Sequence, residues 1–310
     1  MRRRVAVTGM GVVSPLGNAA AAVFANAQAG RSAIHRLDVP FATRLVAPLV
    51  ASASFDATKH FEPPKLRMLD RVSQFALVAA TQALDGARDA LSQLDRRRAG
   101  VFVGTGMGGS QTSDDGYKTL YGDASDRIKP FTVLMGMHNA PAAWIGIEHA
   151  LCGSNLTYST ACSSSAVAIG EAWRRVACGD LKVAIAGGAE APLAFGSLKA
   201  WEALHTLAAI ETAAIRAVFG ERAGRIPISA TKALHGHLLG AAGALECVLS
   251  LLAMESAVVL PTMHLQAPDP ECDLDYVPNA ARETPVVRTM LSNSFAFGGT
   301  NAVLVLGAAS

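Results

Sequence analysis

The chain has 310 residues, 51% hydrophobic and 17% charged: enough apolar side chain for a large buried core, and too little charge for a disordered polymer. A formal net charge of +2 and an aromatic content of 6% argue against a nucleic-acid-binding protein, which needs a basic surplus and stacking side chains. Cys152, Cys162, Cys178, Cys247 and Cys272 are odd in number, widely spaced and without a CxxC pair, which argues against a disulfide framework or a structural metal and fits a reducing cytoplasm.

The opening Met1-Arg2-Arg3-Arg4 has the charge of a signal peptide, but Gly9, Gly11 and Pro15 interrupt the apolar run behind it. Residues 5–8 are instead expected to form a first strand entering a glycine turn, followed by a helix over 19–29. Apolar residues at helical spacing (Val72, Phe75, Ala76, Ala79, Ala83) predict a helix over 67–91. Residues 99–105 read as a buried strand ending in a glycine-rich turn; helices are expected over 141–150 and 163–178, and a strand over 183–186. A helix over 211–219, a short strand over 226–229, a helix over 239–255, a short strand near Val277 and a terminal strand over 302–306 complete the pattern. The most apolar stretch, 238–260, carries Glu246 and Glu255 and reads as a buried helix followed by a strand, not as a membrane span. Alternating helices and strands predict an α/β architecture, and the pattern alone resolves nothing finer.

The segment Tyr158-Ser159-Thr160-Ala161-Cys162-Ser163-Ser164-Ser165 carries the chemistry. A β-prone stretch runs into Cys162 and a long alanine-rich helix follows, so the thiol is expected at a helix N-terminus, where unpaired N–H groups and the helix dipole favour a thiolate nucleophile. A lone cysteine is more often a small buried hydrophobe. Two further segments tip that balance: the run from Ser229 through Lys232, His235 and His237 to Glu246, and Ser292-Asn293-Ser294-Phe295-Ala296-Phe297-Gly298-Gly299-Thr300-Asn301.

Together these motifs resemble the β-ketoacyl-acyl-carrier-protein synthases, the elongating condensing enzymes of fatty-acid and polyketide synthesis. The resemblance extends, in family order, to residues 5–17, 101–109 and 186–190. It implies a thiolase fold: two similar βαβ-rich halves in layers, here residues 1–209 with the nucleophile and a shortened 210–310 with the histidine and the glycine loop. It implies decarboxylative condensation of an acyl group held on Cys162 with a malonyl thioester. The backbone N–H groups of Cys162 and Phe297 match the oxyanion pair, and His237 matches the histidine that polarises the malonyl carbonyl through a neutral imidazole. Lys232 and Glu246 match a supporting ion pair, while His235 is at most a supporting residue. Phe295 and Phe297 match a gating loop, and Gly298 and Gly299 would let its backbone approach a thioester.

Lys65, Arg67, Arg71, Arg127 and Lys129 are candidates for docking an acidic acyl carrier protein, a reading that rests on where Lys65 and Arg67 fall in the resemblance, although scattered basic residues are commonly solvated faces. The resemblance implies no cofactor and no metal, since substrates arrive as phosphopantetheine thioesters. It also implies a homodimer, with residues 137–150 near the interface. One block of the family pattern has no counterpart. Between the Gly187-Gly188-Ala189-Glu190 strand and the helix starting at Ile210, the family carries further strands and a His-Gly-Thr motif with its other catalytic histidine. Here Trp201 to Ala209 joins Ile210 directly, and His205 aligns before the lost block. A thiolase would need a second cysteine where Phe297-Gly298-Gly299-Thr300-Asn301 stands, and a chain-length-factor-like subunit would lack Cys162. The remaining rival is a noncatalytic or acylation-only partner subunit of the same fold.

Overall fold

The computed structural model describes residues 3–88, 94–202, 210–267, 269–270 and 272–308. The expected junction at Ala209–Ile210 and His205 lie outside the described residues on one or both sides. Strands are numbered in chain order: β1 Ile34–Arg36, β2 Leu49–Ala51, β3 Ala99–Gly104, β4 Asn155–Tyr158, β5 Val183–Gly188, β6 Val258–Val259, β7 Arg282–Glu283, β8 Thr289–Ser294 and β9 Ala302–Gly307.

The site is organised by a parallel sheet of order β4-β3-β5. Val101 pairs with Asn155 and Gly104 with Tyr158 on one side of β3; Ala99 pairs with Val183 and Gly104 with Gly188 on the other. Every residue of β3 is buried, as expected of a central parallel strand covered on both faces, and this is why the sequence there is a continuous apolar run. The Ser164–Ala177 helix packs across β3 and β5. Gly104 makes that approach possible: a Cβ on it would lie 2.2 Å from Ser165 N.

On another flank of β3, the Arg71–Gly86 helix packs against the Ala140–Glu148 helix, burying Val72 and Leu77 with Val101, Val103 and Ile145. Each such side chain contributes about 1.5–3 kcal/mol by leaving water. The helix expected from 67 begins at 71 because the Asp70 carboxylate caps it, accepting the Val72 N–H at 2.9 Å. A second core joins the two halves of the chain, with Val12, Leu16, Val23 and Phe24 packed against Leu234, Leu245 and Leu249.

In the later part of the chain, the antiparallel hairpin β8–β9 rests on the Ala242–Glu255 helix. Leu304 and Leu306 of β9 are half-buried, but Val303 and Val305 on its other face are 50% and 68% exposed. β9 therefore has the composition of a strand covered on both faces, with one of them open to solvent.

Three expected strands do not form. Residues 5–8 and 226–229 join no strand ladder among the described residues, and Val7 is 61% exposed. An apolar run becomes a strand only when a neighbour takes up its N–H and C=O groups. Ile228 finds one such contact, donating to Asp275 O at 2.7 Å. Near Val277 the chain makes only an isolated bridge, Thr262 with Pro278, because Val277 itself has φ +41°, outside the extended region.

Candidate active site

Cys162 lies in the 3₁₀ turn Ala161–Ser163, between the end of β4 and the first residue of the Ser164–Ala177 helix. Ala161 holds φ +49°, a left-handed conformation that costs a non-glycine residue about 1 kcal/mol. Neighbouring hydroxyls hold this turn. Ser164 Oγ accepts the Thr160 N–H at 2.8 Å and donates to Ala161 O at 2.6 Å, while Ser163 Oγ donates to Thr160 O at 2.9 Å.

His237 Nε2 stands 3.1 Å from Cys162 Sγ. The Leu239 N–H donates to His237 Nδ1 at 3.2 Å. A nitrogen that accepts carries no proton, so in the neutral ring the proton is on Nε2 and points at sulfur. Burial first, and Lys232 second, push the imidazole down to about 4. The residue nevertheless keeps an exposed face, so water screens part of that shift. The direction is what matters: His237 is neutral at physiological pH and acts as a donor toward sulfur.

The sulfur departs from expectation. Burial raises the Cys162 thiol above its ordinary value, outweighing the pull of Lys232 and of the Cys162 and Phe297 backbone N–H groups. The expected resting thiolate is therefore a thiol. A short 3₁₀ turn and a residue 8% exposed supply too little solvation to offset the desolvation of the anion. Those two N–H groups are the ones that the family resemblance matches to the oxyanion pair.

Lys232 and Glu246 form an ion pair beside this site. Glu246 is raised by burial, against the lowering by Lys232. His235 is 1% exposed and turned away, its ring nitrogens engaged with Thr231 Oγ1 at 3.1 Å and Gly236 O at 2.7 Å. Phe295 and Phe297 are 48% and 52% exposed, and the Phe297 ring centroid lies 6.4 Å from that of Trp201. Gly298 and Gly299 hold φ +84° and +79°, the left-handed region that favours glycine.

The five basic positions separate into two sets. Lys65 is ion-paired with Glu148, and the Arg71 guanidinium lies 4.9 Å from the Phe75 ring centroid and 5.7 Å from that of Phe55. Arg67, Arg127 and Lys129 are exposed. Among the described residues, no group of three metal-ligating side chains stands together and no helix is long and apolar enough to cross a membrane.

One side chain at the site has no role implied by the sequence motif it belongs to. Glu190, just beyond β5, accepts from the Thr105 hydroxyl (2.9 Å) and from the N–H groups of Gly106 (2.7 Å), Met107 (3.0 Å) and Gly240 (2.9 Å). The sequence signal is a carboxylate separated by one residue from an apolar strand that ends in two glycines.

Comparisons with known proteins bear on the family and the fold. The family model described as "Beta-ketoacyl synthase, N-terminal domain" matches residues 2–224, and "Beta-ketoacyl synthase, C-terminal domain" matches 205–266. The chain is 30% identical to 3-oxoacyl-[acyl-carrier-protein] synthase 2 of Staphylococcus aureus (strain COL) over 408 aligned residues, covering 98% of each. It is 30% identical to nodulation protein E of Rhizobium meliloti (strain 1021) over 398, covering 98% of this chain and 99% of that one. Both aligned lengths exceed the 310 residues present, so these relatives contain sequence with no counterpart in this chain. In fold, it superposes with a TM-score of 0.90 on a chain from the complex of a type II polyketide-synthase acyl-carrier protein with its ketosynthase, at 24% identity and 100% coverage of both. Family models that match most of the chain, and relatives covered almost end to end, lead to one conclusion: the chain belongs to the β-ketoacyl synthase family.

Proposed function

We propose that the chain is a 3-oxoacyl-[acyl-carrier-protein] synthase that condenses an acyl group on Cys162 with a malonyl thioester. In the first step Cys162 sulfur attacks the acyl carbonyl, a new thioester C–S bond forms and the old one breaks. The thiol proton ends on the departing phosphopantetheine sulfur. In the second step the malonyl thioester loses CO2, and the resulting carbanion attacks the Cys162 thioester; the C–S bond breaks, the 3-oxoacyl product leaves, and the Cys162 thiolate takes up a proton from solvent to regenerate the thiol. The observation that carries this reading is the Nε2–H of His237 directed at Cys162 sulfur with its tautomer held by Leu239. Such a donor stabilises charge developing on a thioester oxygen more than it stabilises the neutral carbonyl. The N–H groups of Cys162 and Phe297 serve the acyl oxyanion, and the chemistry needs no cofactor.

Arg67, Arg127 and Lys129 offer charge to an acidic carrier, whose pantetheine arm delivers both thioesters. The protein works as a cytoplasmic homodimer. Support comes from the edge position of β4 and from exposed apolar side chains in the segment that precedes it: Val133, Leu134, Met137 and Ile147 are 74%, 59%, 44% and 69% exposed. Light scattering at micromolar concentration should give twice the chain mass, and a monomer would remove this part.

A second reading is favoured by two observations. Among the described residues, His237 is the one histidine bonded to Cys162, and it is open to solvent. With one donor for the enolate instead of the family's two, acylation should outrun condensation, leaving an acylation-competent partner subunit at the extreme. Purified protein given acyl- and malonyl-carrier thioesters separates the two. Acyl-Cys162 with slow 3-oxoacyl product is the expected result, acyl-Cys162 with no product selects the second reading, and no acylation rejects both.

A further inference from the structure

We propose that Glu190 is the positioning residue that holds His237 on Cys162. Its carboxylate meets four donors at 2.7–3.0 Å, three of them backbone N–H groups that can only donate. Such a shell fits the ionised form. It works against burial, which raises this carboxyl above its ordinary value.

The donors come from two separate segments. Thr105, Gly106 and Met107 form the turn after β3, and the Gly106 turn backs onto the nucleophile: a Cβ on Gly106 would lie 3.9 Å from Ala161 O. Gly240 belongs to the other part of the chain and directly follows Leu239, whose N–H fixes the His237 ring. Oε2 alone bridges the two, accepting from Gly106 and Gly240 together. The contact leaves no room for a side chain, since a Cβ on Gly240 would lie 2.5 Å from Gly106 N and 2.8 Å from Glu190 Oε2. From Glu190 the line of contact is thus Gly240, Leu239, His237 Nδ1 and, through Nε2, Cys162 sulfur.

A residue that only stabilised the fold would leave sulfur reactivity in the folded protein untouched. A positioning residue would not, because displacing the Nε2–H donor destabilises the thiolate. The opposite sign is expected from charge alone. Glu190 raises the Cys162 thiol through space, so neutralising it without moving His237 lowers that thiol.

The proposal rests on the nucleophile and histidine assignments above, but it is tested on thiol ionisation, which needs no condensation. The rate of Cys162 alkylation by iodoacetamide, followed by peptide mapping, is measured against pH in the wild type, Glu190→Gln, His237→Ala and the double variant. Glu190→Gln should move the midpoint up by about one pH unit, in the direction of His237→Ala, with no further shift in the double variant. Gly240→Ala keeps the charge and separates the same segments, so it should shift the midpoint the same way and serves if Glu190→Gln does not fold. An unmoved or lowered midpoint in either folded variant would overturn the proposal. So would shifts that add in full with His237→Ala. A protein that shows the coupled shift yet never condenses would fail the proposed function and leave this positioning role standing.

Discussion

The Nε2 of His237 and the Sγ of Cys162 lie 3.1 Å apart across 75 residues of chain, with the imidazole proton between them. Because Leu239 occupies the other ring nitrogen, the histidine cannot take the thiol proton while it keeps that tautomer. The pair is therefore a thiol beside a hydrogen-bond donor, in contrast to the thiolate–imidazolium pair of a cysteine protease.

This changes which cysteine a small reagent finds. Cys152 and Cys178 are exposed, whereas Cys162 is buried and held as a thiol. Iodoacetamide at pH 7 should label Cys152 and Cys178 first, while an acyl-carrier thioester should label Cys162. Acyl groups mapped to Cys152, Cys178, Cys247 or Cys272 instead would remove Cys162 as the nucleophile.

Lys232 lowers the Cys162 thiol through space and is paired with Glu246. Lys232→Met should slow acylation at pH 7 by about threefold to tenfold and displace its pH–rate profile to higher pH. An unchanged profile would show that the pair is structural only.

His235 is pushed down to about 4, chiefly by burial, from 6.5. Above pH 6.5 it is neutral in both folded and unfolded chains. Between 6.5 and 4 the unfolded chain binds the proton and the folded one does not, so stability falls as pH falls, by up to about 3 kcal/mol, and levels off below 4. Glu190 and Glu246, raised by burial, titrate with the opposite sign. Urea denaturation of wild type and His235→Gln at pH 7.5 and 5 isolates the histidine, and an equal loss in both proteins would contradict its role.

Much of this was readable from residue order, and the remainder depends on distance in space. Cys162 at a strand–helix junction, the Lys232–Glu246 pair and the left-handed glycines of residues 298–299 follow from local pattern and motif. The missing strands at 5–8 and 226–229 do not, because a strand is a property of two segments. Nor does the raised Cys162 thiol, since burial is decided by parts of the chain remote in sequence. Lys65 and Arg71 look like free surface charge until Glu148, Phe55 and Phe75 are seen beside them. Glu190 gathers donors from positions 83–85 residues before it and 50 after it, a convergence with no local signature.

Exposed charge gives a separate test of carrier recognition. Replacing Arg67, Arg127 and Lys129 with Glu should weaken binding of an acidic carrier at least tenfold at low salt and flatten its salt dependence, with small acyl thioesters reacting as before. Equal loss with small thioesters would point to a disturbed fold, and unchanged carrier binding would eliminate this face.

The most direct measurement of the central claim is the pair of partial reactions in His237→Ala. If the Nε2–H serves the enolate, malonyl-thioester decarboxylation should fall by about 10²–10³ while acylation of Cys162 keeps most of its rate. Equal loss in both reactions, or decarboxylation at the wild-type rate, would contradict the assignment of His237 as the donor that makes this site a condensing one.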